Sequence, residues 1–197
     1  MSYSNVFTVS PNILERAWDW LFASASSSGQ AGASGWSLNR AGVQRFTLRS
    51  PAETAKESSS ASAPVLILLV EDNPADVGLV RRALEEHGVQ GDLVVVADGE
   101  TAIQIVEDLD AQLMECPNLA IVDLNLPRKS GRAVLERIRR TEICRAIPVV
   151  ILSSSDAQQD RSDADRLGAN RYVRKPSTLD EFLNLGAIFK ATLAPPK

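Results

Sequence analysis

The segment Val65-Leu66-Ile67-Leu68-Leu69-Val70 is an unbroken aliphatic run closed by the acidic pair Glu71-Asp72. A strand with one face in water alternates apolar and polar residues. A strand apolar on both faces belongs inside a parallel sheet, with helices covering it above and below. The residues that follow keep to that scheme. A helical pattern opens near Pro74, places Val77, Val80 and Leu84 on one face, and stops at Gly88. Residues 93–97 read as a second strand, and Ala102, Ile105, Val106 and Leu109 mark a second helix. Residues 119–122 form a third strand, and Val134, Leu135 and Ile138 a third helix. A fourth strand at 148–152 leads into a mostly polar helix over 156–167, and 171–173 is a short fifth strand. Thr178-Leu179-Asp180-Glu181 is a capping box that opens the last helix. Five strands alternating with five helices predict an α/β fold, a doubly wound five-stranded parallel sheet with right-handed crossovers.

The stretch before Val65 has another character. Residues 1–64 carry Ser/Ala/Gly-rich tracts at 23–37 and 56–64, too poor in apolar surface to offset the entropy of ordering. They read as a largely disordered extension to the domain at 65–197, with one exception near 11–23. There Ser10 can cap, Pro11 suits a first helical position, and Ile13, Leu14, Ala17, Trp18, Leu21 and Phe22 share a face. This short amphipathic helix either docks on its own domain, frays in solution, or serves a partner or a homodimer.

Composition closes off several function classes. Net charge is −4, and the extension holds five Lys/Arg against four Asp/Glu, so direct DNA binding is not expected. The sequence lacks an apolar run long enough for a bilayer span and a secretory signal, so a cytoplasmic protein is expected. One histidine and two cysteines cannot build a multi-His site or a disulfide framework; Cys116 and Cys144 read as reduced thiols. His87 reads as a solvated residue at a helix end, and Arg137, Arg139 and Arg140 as a solvated helix face.

In doubly wound sheets the site forms at the carboxyl ends of the strands. Strand one ends in Glu71-Asp72, strand three in Asp123 and strand four in Ser153, while strand five leads to Lys175-Pro176. Each has a plain reading as a cap, a turn or a solvated side chain. Their joint placement on one rim is harder to obtain from caps alone. Three acids held close call for a cation, and an all-oxygen ligand set selects a hard ion such as Mg²⁺. An aspartate there can attack phosphorus and form an acyl phosphate, with the lysine and the serine neutralising and holding the transferred group.

The segments VLILLVEDNPAD, LAIVDLNLPRKSG, IPVVILSSS and GANRYVRKP resemble the receiver domain of bacterial two-component response regulators. LVEDNPADVGLVRRALEE with DLNLPRKSGR is closer to the small regulators that partner phytochromes. The resemblance implies a flavodoxin-like strand order 2-1-3-4-5 and a phosphoacceptor at Asp123. Mg²⁺ would be held by Glu71, Asp72, Asp123 and the carbonyl of Asn125. Ser153 and Tyr172 match the switch pair, Lys175 the invariant lysine, and the peptide before Pro176 is expected to be cis.

The expected function is therefore a stand-alone switch that accepts a phosphoryl group from a sensor histidine kinase, of phytochrome type by the closer resemblance. Its signal would pass through the surface of the fourth helix, fifth strand and fifth helix. Few residues follow the last helix, so output is expected through a downstream protein, a homodimer or a phosphorelay. Slow self-dephosphorylation is expected, but not enzyme turnover: an aspartate-nucleophile phosphatase would want an acid where Asn125 stands. The remaining alternative is an adaptor that works without phosphorylation.

Overall fold

The computed structural model of the protein describes residues 43–49, 65–111 and 115–193. The helix expected near 11–23 lies outside them. In chain order the elements are β1 (Val43–Leu48), β2 (Val65–Val70), α1 (Pro74–Glu86), β3 (Gly91–Val96), α2 (Gly99–Ala111) and β4 (Leu119–Asp123). They continue with α3 (Gly131–Arg140), a 3-10 turn (Cys144–Ala146), β5 (Val149–Ser153), α4 (Gln158–Arg166), β6 (Arg171–Arg174) and α5 (Leu179–Leu193).

The strands form a single sheet in the order β1-β3-β2-β4-β5-β6. From β2 onward it is the expected parallel 2-1-3-4-5 arrangement. Both faces of its centre are dry: Ile67, Leu68, Leu69, Leu93, Ile121 and Ile151 are fully buried. Burial of this kind, about 25 cal/mol per Å² of apolar surface, is what orders the sheet.

The sixth strand lies within the 1–64 extension, where no strand is expected from the sequence. β1 pairs antiparallel with β3, Val43 opposite Val96 and Leu48 opposite Gly91. Val43 and Leu48 are buried, Arg45 pairs with Asp92 at 2.7 Å, and the guanidinium of Arg81 lies 5.3 Å from the centre of the Phe46 ring. β1 thereby covers the backbone edge that β3 would otherwise present.

Local signals act as read at the starts of α1 and α5. The Asn73 side chain accepts from Ala75 N at 3.0 Å with Pro74 as the first helical residue of α1. Thr178 Oγ1 accepts from Glu181 N at 3.4 Å at the start of α5. Other expectations are corrected. His87 is half-buried, with Nδ1 3.0 Å from the Ala83 carbonyl, in the α1–α5 contact that Gly186 makes close. Arg139 leaves its helix face to bond the carbonyls of Arg145, Ile147 and Gly168 and the side chain of Asn170. Cys116 and Cys144 form a disulfide with Cα atoms 5.4 Å apart, joining the approach to β4 with the approach to β5. Among the described residues no helix is long and apolar enough to cross a membrane.

Candidate functional site

The acids expected to meet do meet. Glu71 follows β2, Asp72 opens the loop to α1, and Asp123 ends β4. One oxygen from each lies within 4.8 Å of the others. Glu71 and Asp123 are buried while Asp72 is exposed. Parallel pairing of β2 with β4, Val70 opposite Val122, sets the buried pair side by side.

Lys175 arrives from the end of β6, its backbone N donating to the Ser153 carbonyl at 2.8 Å. Its Nζ donates to Glu71 Oε2 at 2.7 Å, to Asp123 Oδ2 at 2.7 Å and to Asp76 Oδ2 at 2.8 Å. The remaining oxygens of the buried acids are held by backbone: Glu71 Oε1 accepts from Asn73 N at 3.1 Å and Asp123 Oδ1 from Asn125 N at 3.0 Å. Burial pushes the Glu71 carboxyl above its ordinary value, against the pull of the Lys175 ammonium. Burial alone would lower Lys175, but its bonds to Asp123, Asp76 and Glu71 win and hold the ammonium well above the usual lysine value.

Asp76 is the member that sequence reasoning missed. An acid in the first turn of a helix is accounted for by the helix dipole. The signal was its spacing: Asp76 stands four residues after Asp72, on the side that faces the rim.

Ser153 is fully buried at the end of β5, and its Oγ accepts from Ser155 N at 3.1 Å. Tyr172 is half-buried and donates from its hydroxyl to the Ser155 carbonyl at 3.0 Å, with the Arg161 guanidinium 5.2 Å from its ring centre. Ser155 Oγ also donates to Asp160, whose carboxyl that bond holds below its ordinary value. Arg132 pairs with Asp160 and, at 2.7 Å, with Asp163. The loop after β5 is thus fastened from β6, α3 and α4. The Lys175–Pro176 peptide is trans, where the resemblance implied cis.

The loop after Asp123 is held as firmly. Asp98 caps α2 through Thr101 N at 2.9 Å and receives Arg128, which adopts a positive φ of 64°. Gly99 N and Lys129 N both donate to the Pro127 carbonyl.

The donor set suits a hard divalent ion. It offers only oxygen, and the exposed Asp72 carboxylate lies beside two buried ones.

A parallel sheet with this acidic rim and a lysine reaching across it is the architecture of a receiver domain. The family model of the response regulator receiver domain matches residues 67–185, and the chain belongs to that family. It is similar to the probable methanogenesis regulatory protein FilR2 of Methanothrix harundinacea, 36% identical over 121 residues, 61% of this chain and 78% of that protein. Response regulator Rcp1 of Synechocystis is 33% identical over 129 residues, 65% of this chain and 88% of Rcp1. The Mn²⁺-bound structure of Rcp1 aligns with a TM-score of 0.59 at 32% identity, over 65% of this chain and 93% of that one. The phosphorylated cyanobacterial phytochrome response regulator RcpA aligns with a TM-score of 0.62 at 34% identity, over 68% of this chain and 98% of RcpA.

Proposed function

We propose that this receiver domain is a phosphorylatable switch with Asp123 as the acceptor. The observation that carries the reading is the placement of the Asp123 carboxylate: buried at the rim, between the Lys175 ammonium and the acids Glu71 and Asp72. An oxygen of Asp123 attacks the phosphorus of a phosphohistidine on a sensor kinase. The P–N bond breaks, the imidazole nitrogen keeps the electron pair, and an acyl phosphate forms on Asp123. Lys175 neutralises charge on the transferred group, and the Ser153 hydroxyl donates to a phosphoryl oxygen.

Glu71, Asp72 and Asp123, with the carbonyl of Asn125, would hold Mg²⁺. When bound, that ion supplies charge neutralisation for the incoming phosphoryl oxygens. Turning Ser153 toward the acceptor breaks its bond from Ser155 N, so the loop after β5 shifts, and with it the Ser155 carbonyl that the Tyr172 hydroxyl holds from β6. The signal then passes to the face of α4, β6 and α5. The likeness to RcpA, a phytochrome response regulator, supports a phytochrome-type histidine kinase as donor, and the site of action would be the cytoplasm. The downstream protein would read that face. Return to the resting state is slow hydrolysis of the acyl phosphate, which does not amount to an enzyme activity.

Intact mass after incubation with Mg²⁺ and acetyl phosphate tests the reading. One phosphoryl adduct that requires Mg²⁺ and is lost in Asp123→Asn is the expected result. A folded wild-type protein that takes no phosphoryl group from the small donor or from candidate kinases would sink it.

A further inference from the structure

Every carboxylate oxygen of Glu71 and Asp123 already has a partner. Backbone N–H groups of Asn73 and Asn125 take one oxygen of each, and Lys175 takes the other. A divalent cation entering among Glu71, Asp72 and Asp123 therefore meets an ammonium already seated there. Two like charges at one carboxylate pair repel strongly in so buried a place. The ammonium is drawn away from solvent, the Lys175 side chain being only 12% exposed and its backbone tied to Ser153. It has one partner outside the cation cluster. That partner is Asp76, 2.8 Å away on α1 and absent from the three clustered acids.

We infer that Asp76 is a positioning residue that receives the Lys175 ammonium when a divalent cation binds, and so sets the affinity of the acidic rim for that cation. The inference rests on the functional reading above and deepens it. With Asp76 present, Lys175 keeps a full ion pair while it yields Glu71 Oε2 and Asp123 Oδ2. In Asp76→Asn the ammonium has no charged alternative and holds to the two buried acids. Asp76→Glu restores a carboxylate that can reach the same ammonium. Exposed acids on α1 do not share the effect: Glu86 pairs with Arg82, well down the helix.

Calorimetric titration of the full-length protein with Mg²⁺ provides the test, with thermal melting as the check that each variant is folded. Asp76→Asn is expected to raise the Mg²⁺ dissociation constant by about tenfold, the scale of one displaced charge contact at a partly buried site. Asp76→Glu is expected to return most of that loss, and Glu86→Gln to leave affinity unchanged. Because Asp76 acts through Lys175, the effect of Asp76→Asn is expected to fall below about twofold in a Lys175→Met background. Equal losses with and without the lysine would show Asp76 acting as a plain charge and would overturn the inference. So would wild-type affinity in folded Asp76→Asn. Wild type that binds no Mg²⁺ at all would remove the functional reading itself, and this inference with it.

Discussion

Gly131 stands so close to Asp123 that a β-carbon added there would overlap the Asp123 carbonyl oxygen. The contact closes the loop between β4 and α3, with Gly131 N donating to the Leu124 carbonyl at 3.0 Å. Gly131→Ala must push the first turn of α3 away from the strand end that carries the acceptor. We expect a loss of about 1–3 kcal/mol in stability, as for other overpacked sites. The rate of phosphoryl adduct formation should fall as well, because the strained contact bears on the backbone of Asp123 itself. Urea unfolding and adduct mass together check both effects.

Among the described residues Lys175 is the cation that pairs with Glu71, Asp76 and Asp123, so Lys175→Met leaves three carboxylates facing one another. Without divalent ions the variant should lose about 3 kcal/mol, the usual result of removing one partner from a mostly buried charge cluster. Added Mg²⁺ should return much of that loss, since an ion that binds only the folded state stabilises it by mass action. The melting temperature of the variant is thus expected to rise more with Mg²⁺ than that of the wild type. Phosphoryl acceptance should remain poor even at saturating Mg²⁺. A melting curve that ignores Mg²⁺ would count against the rim as a cation site.

The parts of this molecule legible in the sequence are those whose signal is local. The six aliphatic residues of β2 and the acids after them define a strand, its burial and one wall of the site without reference to any distant residue. The rest depends on partners far along the chain. VQRFTL at β1 is a short, mixed segment flanked by Ser/Gly-rich chain, and only the open edge of β3 turns it into a strand. Arg139 reads as one of three arginines on a polar helix face. Its role depends on carbonyls brought to it by the 3-10 turn and by the loop before β6. Cys116 and Cys144 are 28 residues apart, and neither spacing nor neighbours marks them as a pair. Asp76 was visible, but an acid at a helix N-terminus has a sufficient local reason to be there.

Arg139 gives a stability prediction of its own. Its Nη1 reaches the carbonyls of Arg145 and Ile147, its Nε and Nη2 that of Gly168, and Nη2 also Asn170 Oδ1. Asn170 Oδ1 in turn accepts from Val149 N at 2.8 Å, the first residue of β5. Arg139→Ala removes donors from several acceptors at once and should cost about 2 kcal/mol in urea unfolding. Arg139→Lys is expected to recover little, because one ammonium cannot span the acceptors that the planar guanidinium bridges. Mg²⁺ affinity should stay at the wild-type value, since the clamp lies at the opposite end of the strands.

The disulfide separates stability from chemistry in the same way. Cys116 and Cys144 join the approaches to β4 and β5, while Asp123 and Ser153 lie at the far ends of those strands. Between the two runs a ladder of pairs from Ala120–Val149 to Asp123–Leu152 that reduction does not touch. The turn around Cys144 keeps other supports, as Asp110 Oδ1 accepts from Glu142 N and Ile143 N at 2.9 Å each. Reduction should therefore leave the fold and the rim intact and act mainly by releasing the unfolded chain. For a separation of 28 residues the loss is about 3–4 kcal/mol. Adding dithiothreitol is expected to lower the unfolding free energy of the wild type by that amount, and its urea midpoint accordingly, and to leave Mg²⁺ affinity and phosphoryl acceptance unchanged. Cys144→Ala should unfold at a lower urea concentration than oxidised wild type and should no longer respond to the reductant. An identical midpoint with and without dithiothreitol in the wild type would mean that the bond does not stabilise the protein in solution. A loss of Mg²⁺ binding on reduction would mean that the β4–β5 ladder transmits what it is expected to isolate.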